Sequence, residues 1–146
     1  MEALVFRHEI ARYLLSRALY AKARGWWSAR WAPLPSQFVP LQGMQVHLRD
    51  EGPRTDPQPI VLLHGTSASL HTWEGWVKVI KGKRRVITLD LPAFGLTGPF
   101  SGQYAGRPYG GDEYARFVLD VLDALQVPRF AIGGNSLGGE IAWRVA

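Results

Sequence analysis

A glycine-flanked serine constrains this chain more than any other feature. Residues 133–139 read Gly-Gly-Asn-Ser-Leu-Gly-Gly, with an apolar run before them and a helical pattern after them. A turn that leads from a strand directly into a helix is so tight that Gly134 and Gly138, two positions before and after Ser136, have no room for a Cβ atom. The motif therefore predicts a strand, a tight turn and a helix, with the Ser136 hydroxyl at the tip of the turn.

Short apolar runs alternate with helical patterns along the chain. The runs have the character of strands buried on both faces of a parallel sheet, and they occupy residues 60–63, 85–89 and 129–132. Helices are predicted over residues 72–80 and 112–125, the second with Asp112 as its N-cap. This alternation predicts an α/β fold with a doubly wound, mostly parallel sheet, whose ligands bind beyond the carboxyl ends of the strands.

Two further segments have weaker signals. Residues 44–49 alternate between apolar and polar side chains, which predicts a half-exposed strand, and Gly43 before them suggests a hairpin turn. The glycine-rich residues 95–111 predict an irregular, surface-exposed loop.

The positive charge of the chain lies in its first residues. The net charge is +5, and residues 1–36 carry six Arg or Lys against Glu2 and Glu9, a surplus of four. The remaining 110 residues therefore carry only one excess positive charge, which argues against a nucleic-acid-binding face. The predicted organisation is an N-terminal helix and linker over residues 1–36, followed by an incomplete catalytic domain over residues 37–146.

The leader has the spacing of an amphipathic helix over residues 3–31. Basic residues interrupt every apolar run, so it predicts neither a membrane-spanning helix nor a signal peptide. Trp26, Trp27 and Trp31 lie beside arginines, a combination suited to weak contact with a membrane surface. The alternative is a helical extension that packs on the domain or frays. The expected location is cytoplasmic or peripheral to a membrane.

Two more motifs lie upstream of Ser136. The strand at residues 60–63 runs directly into His64-Gly65, and residues 90–98 read Asp-Leu-Pro-Ala-Phe-Gly-Leu-Thr-Gly. With the serine motif, they resemble the α/β-hydrolase fold family in order and separation, over residues 38–146. The resemblance implies that the backbone N–H groups of Thr66, or of Ser67, and of Leu137 form the oxyanion hole, and that His64 fixes the loop and is not the catalytic base.

The resemblance is strongest to the branch with haloalkane dehalogenases, epoxide hydrolases and serine esterases. The first two use an aspartate nucleophile where this chain has Ser136, so a serine hydrolase acting on a small ester or related acyl substrate through an acyl-serine intermediate is expected. Such chemistry needs no cofactor and no metal. The alternatives are a non-catalytic binding module of the same fold, or a carbon-carbon bond hydrolase or perhydrolase.

Serine also needs a histidine base and a carboxylate, which in this fold follow the nucleophile along the chain. All four histidines precede Ser136, and Glu140 is the only carboxylate after it. We therefore expect a fold truncated after the nucleophile turn, inactive by itself, with the acid and the base in sequence beyond Ala146.

Overall fold

The computed structural model describes residues 28–146. The chain divides into two units between Pro33 and Leu34. The described part of the first unit contains a helical turn over residues 28–31, so the helix predicted for residues 3–31 lies almost entirely outside the described residues. The second unit, residues 34–146, contains the predicted sheet.

One mixed sheet organises the second unit. Its five strands are β1 (Ser36–Leu41), β2 (Met44–Glu51), β3 (Ile60–Leu63), β4 (Val86–Leu89) and β5 (Ala131–Gly134). They lie in the order β1-β2-β4-β3-β5. The strand β3 pairs in parallel with both β4 and β5, whereas β2 pairs antiparallel with β1 and β4. The β1–β2 hairpin turns at Gln42 and Gly43, as the sequence predicts.

Helices cover both faces of this sheet. They are α1 (Glu74–Ile80), α2 (Gly111–Ala124) and α3 (Leu137–Val145), and one-turn 3-10 helices occupy Leu70–Trp73 and Gly102–Tyr104. Side chains alternate between the two faces of a strand. On one face, Leu62 and Val86 pack with Val77 of α1. On the other face, Val61 and Leu63 join the main core with the apolar stripes of α2 and α3. The predicted α/β fold is confirmed.

Several predicted element boundaries were wrong by one or two residues, most clearly those of α2 and of β5. The helix α2 begins at Gly111 and its N-cap is Gly110, so Asp112 lies inside the first turn. There its carboxylate interacts favourably with the positive end of the helix dipole, although it does not cap the helix. The last strand also runs two residues further than predicted, because Gly133 and Gly134 remain paired with β3.

The loop between β4 and α2 is more ordered than the sequence predicts. Phe100 and Tyr104 are buried in the main core, and the Phe100 ring stacks on the rings of Tyr104 and Tyr109 at centroid distances of 5.3 and 4.6 Å. The Tyr104 hydroxyl donates to Asp120 at 2.6 Å. Aromatic packing therefore offsets the conformational freedom of the glycines.

Candidate active site

Ser136 lies between the end of β5 and the start of α3. Its backbone has φ 53° and ψ −119°, outside the regions that a non-glycine residue normally adopts, and the residue is exposed. Such a conformation costs about 1–3 kcal/mol and persists only where the surrounding structure holds it. Here the Gly138 N–H donates to the Asn135 carbonyl at 2.9 Å, and the Glu140 N–H donates to the Ser136 carbonyl at 3.1 Å. The turn thus presents the serine hydroxyl at the carboxyl end of the sheet.

Three glycines allow the backbone around Ser136 to pack this closely. A Cβ atom on Gly134 would overlap the Gly138 backbone, and one on Gly138 would overlap the carbonyl oxygen of Leu63. A Cβ atom on Gly65 would lie 3.2 Å from the Ser136 Cβ and 3.1 Å from the Asn135 carbonyl oxygen. The loop after β3 therefore lies directly against the serine turn.

The two backbone donors expected from the family resemblance lie on either side of this contact. Thr66 follows Gly65 and is exposed, and Leu137 is the first residue of α3. Within residues 28–146, neither N–H donates to a carbonyl oxygen or to a side chain. Ser67, the alternative donor, is exposed with φ 58°. Unused N–H groups beside an exposed hydroxyl are suited to binding an oxyanion.

His64 fixes the start of this loop. Its Nε2 accepts the Leu91 N–H at 3.0 Å, so the ring proton lies on Nδ1, which donates to the Gly65 carbonyl at 2.7 Å. The side chain is fully buried, and burial lowers the pKa of His64 below its usual value. Both ring nitrogens bind backbone groups, which is the arrangement of a loop-fixing residue and not of a base.

Asp90 directly follows β4, and its role could not be predicted from the sequence. Its buried carboxylate accepts hydrogen bonds from the N–H groups of Leu70 at 2.7 Å and Leu96 at 2.8 Å, and from Nδ1 of His47 at 2.7 Å. Burial opposes ionisation, but these three donors keep the pKa of Asp90 below its usual value. Asp90 thus ties the loop after β3 to the loop after β4. A Cβ atom on Gly95 would overlap this carboxylate.

Among residues 28–146, no histidine or carboxylate hydrogen-bonds Ser136, and no three metal-ligating side chains come together. None of the helices described has the length and hydropathy needed to cross a bilayer. What the site does offer is an exposed serine, followed in the chain by the unused Leu137 N–H and packed against the loop that carries the unused Thr66 N–H.

A model of the alpha/beta hydrolase fold matches residues 58–146, the part that contains the serine turn and the loop opened by His64. The chain belongs to the alpha/beta hydrolase fold family. It is 32% identical over 109 residues to a 2-hydroxy-6-oxo-2,4-heptadienoate hydrolase from Pseudomonas putida, covering 73% of this chain and 37% of that protein. It is 33% identical over 103 residues to a pimeloyl-[acyl-carrier protein] methyl ester esterase from Legionella pneumophila, covering 70% and 36%.

Solved structures of the family superpose on the described fold. A membrane phospholipase A, described as a bacterial virulence factor, matches with a TM-score of 0.67 and 25% identity over 98% of this chain and 45% of that one. The Cif epoxide hydrolase from Acinetobacter nosocomialis matches with a TM-score of 0.65 and 20% identity over 76% and 33%, and this likeness shows the fold alone. The chain thus spans between a third and a half of the length of the four relatives named here.

Proposed function

We propose that this chain carries the nucleophile and the oxyanion hole of a serine hydrolase acting on an ester or related acyl substrate. The observation that carries the proposal is the exposed Ser136, held at φ 53°, with the unused Leu137 N–H next to it in the chain and the unused Thr66 N–H in the loop that packs against its turn. In the gene product that contains these residues, a histidine base takes the proton of the Ser136 hydroxyl as its oxygen attacks the acyl carbon, and the carbonyl oxygen becomes an oxyanion that both N–H groups stabilise. The bond to the leaving alcohol then breaks as the histidine returns this proton to the alcohol oxygen, and a water activated by the same base hydrolyses the acyl-serine to the free acid and Ser136.

The family relatives support hydrolysis and differ in the bond they cleave. One is named a methyl ester esterase, one a phospholipase and another a hydrolase of 2-hydroxy-6-oxo-2,4-heptadienoate. The serine in the nucleophile position favours acyl chemistry over the epoxide opening named for other relatives. A carbon-carbon bond hydrolase is the second candidate, because the first relative named shares 32% identity with this chain.

A serine-directed probe tests the nucleophile. In the gene product that contains these residues, a fluorophosphonate should label the wild type, and Ser136→Ala should remove both labelling and turnover of a p-nitrophenyl ester. Ser101→Ala is the matched control, because Ser101 lies in the loop after β4 and its hydroxyl bonds the Gln42 carbonyl at 2.8 Å. Labelling retained in Ser136→Ala would exclude Ser136, whereas a wild type with neither labelling nor turnover would favour the binding-module alternative.

The bond cleaved is tested with paired substrates. A p-nitrophenyl butyrate and a vinylogous 1,5-diketone present the two bond types to the same serine. We expect kcat/KM for the ester to exceed that for carbon-carbon cleavage at least about tenfold, the lower range of pocket discrimination between related substrates. A higher kcat/KM for carbon-carbon cleavage than for the ester would contradict the ester proposal and support a carbon-carbon bond hydrolase.

We also propose weak membrane-surface contact through residues 3–31. It is supported by the basic and tryptophan-containing sequence of this leader and by the likeness to a membrane phospholipase A over 98% of the chain. Arg7, Arg12 and Arg17 changed together to Gln should weaken binding to phosphatidylserine vesicles, at about 1 kcal/mol for each charge near the surface. Vesicles of phosphatidylcholine alone are the control, and equal binding of both proteins to both vesicles would refute the contact.

A further inference from the structure

Arg49 lies on β2 and reaches the loop that follows β3. Its side chain is only 11% exposed. Three donors on this guanidinium are used: Nε donates to the Ser36 hydroxyl at 3.0 Å, Nη1 to Glu74 at 2.7 Å and Nη2 to Nε2 of His71 at 3.2 Å. One side chain therefore joins β1, the start of α1 and the end of the loop.

His71 connects Arg49 to the loop through two hydrogen bonds. Because Nε2 accepts from Arg49, the proton lies on Nδ1, which donates to the Ser69 hydroxyl at 3.1 Å. The neighbouring Leu70 N–H donates to Asp90. The loop that contains Thr66 is thus fixed at its start by His64 and at its end by Asp90 and Arg49.

The middle of this loop has little support of its own. In residues 65–69 the Ala68 N–H donates to the Gly65 carbonyl at 3.3 Å, and the Ser69 carbonyl accepts the Thr72 N–H at 3.0 Å. Thr66 and Ser67, in the middle of the loop, are exposed and make no backbone hydrogen bond among the described residues. The direction of the Thr66 N–H therefore depends on where the two ends of the loop are held. Oxyanion donors act through their positions before reaction, so a displacement of the end of the loop weakens the donor.

We propose that Arg49 is a positioning residue for the oxyanion hole, holding residues 65–69 through His71 and Ser69 so that the Thr66 N–H points to the substrate oxygen at Ser136. This inference rests on the proposed function. A cavity of about 410 Å³ beside α1 is lined by Arg49, Leu70 and Glu74 among others, so removing the guanidinium would enlarge a space that borders Leu70 at the end of the loop. Removing the guanidinium should therefore displace the Thr66 N–H from the substrate oxygen and leave access of the substrate unchanged.

The test separates an effect on positioning from an effect on stability by comparing two arginines of similar exposure, Arg49 and Arg85. In the gene product that contains these residues, Arg49→Gln should lower kcat for a p-nitrophenyl ester about ten- to a hundredfold with KM changed less than about threefold, since a misplaced donor weakens the transition state selectively. Arg49→Lys, which keeps the charge and one donor, should recover part of kcat. His71→Ala should lower kcat in the same way as Arg49→Gln.

Arg85→Gln is the matched control. Arg85 is 12% exposed and donates twice to Asp50, but it lies at the amino end of β4, away from Ser136. It should lower the thermal midpoint and leave kcat within about twofold, because the broken ion pair with Asp50 lies at the end of the sheet opposite to Ser136. Equal falls of kcat in both variants, or an unchanged kcat in Arg49→Gln, would overturn the positioning role. Turnover that survives in Ser136→Ala would instead overturn the proposed function.

Discussion

At the amino end of the sheet, charged side chains, several of them partly exposed, bind one another as well as the backbone, whereas at the carboxyl end fully buried side chains hold the backbone of the loops. Arg85 donates to Asp50 at 2.8 and 2.9 Å, and Lys81 contacts Glu51 at 2.5 Å, with both cations partly exposed. Neighbouring Arg54 also contacts Asp50. Such pairs tolerate small shifts, because a long side chain can follow its partner.

The carboxyl end uses shorter side chains that are fully buried. Asp90 accepts two backbone N–H groups, and His64 binds one N–H and one carbonyl. These contacts fix the backbone itself, which in the proposed function places the Thr66 and Leu137 N–H groups. The comparison indicates that one end of the sheet is built for position and the other for charge balance.

The largest effect is expected at the serine turn. Gly138→Ala places a Cβ atom against the Leu63 carbonyl, so the turn must open, and we expect about 4 kcal/mol or more of lost stability together with lost fluorophosphonate labelling. Gly139→Ala is the control in the same motif, because the nearest atom to its Cβ is 3.4 Å away. Chemical denaturation and probe labelling measure both. Labelling retained in Gly138→Ala would mean that the close approach is not needed.

The second-largest effect on stability is expected at Asp90. Asp90→Ala leaves His47 and two backbone N–H groups buried without their acceptor, and breaking such a pair costs about 3–5 kcal/mol. The measurement is the free energy of unfolding in urea, with Lys81→Gln from the amino end as the comparison. A smaller loss for Asp90→Ala than for Lys81→Gln would reverse the contrast between the two ends.

A pH dependence should follow from His64. Burial lowers its pKa in the folded state, so the unfolded chain takes up the proton first, and stability is full above about pH 6.5 and decreases as the pH falls below that value. The loss is at most about 1.4 kcal/mol per pH unit from this one group. His64→Gln, which cannot titrate, should show a shallower slope in urea denaturation between about pH 7.5 and 5.5. An unchanged slope would assign the dependence to another group.

The sequence predicted the serine turn and the parallel strands because these signals are local. The glycines at 134 and 138 must be small wherever a strand turns so sharply into a helix, and the apolar run of β3 has no exposed face in which to place a polar side chain. The boundary of β5 was misplaced because glycine has no apolar signal, although Gly133 and Gly134 pair with β3.

The contacts that hold the loops could not be predicted in this way. His47 and Asp90 lie 43 positions apart, and Arg49 and His71 lie 22 apart. Their meeting depends on β2 lying beside β4 in the sheet, which neither residue reveals alone. The only local signal was the glycine at 95, where a Cβ atom would overlap the Asp90 carboxylate.

The smallest effect is expected at Lys81. It tests whether contacts at the amino end of the sheet influence the geometry of the site at the carboxyl end. Lys81 is 47% exposed and binds Glu51 across the surface of the sheet. Lys81→Gln should lower the free energy of unfolding by less than about 1 kcal/mol, and the difference should shrink in high salt because exposed pairs are screened. Turnover of a p-nitrophenyl ester should stay at the wild-type level. A fall in kcat at unchanged stability would mean that this end also sets the geometry of the site, through α1 and the loop before it.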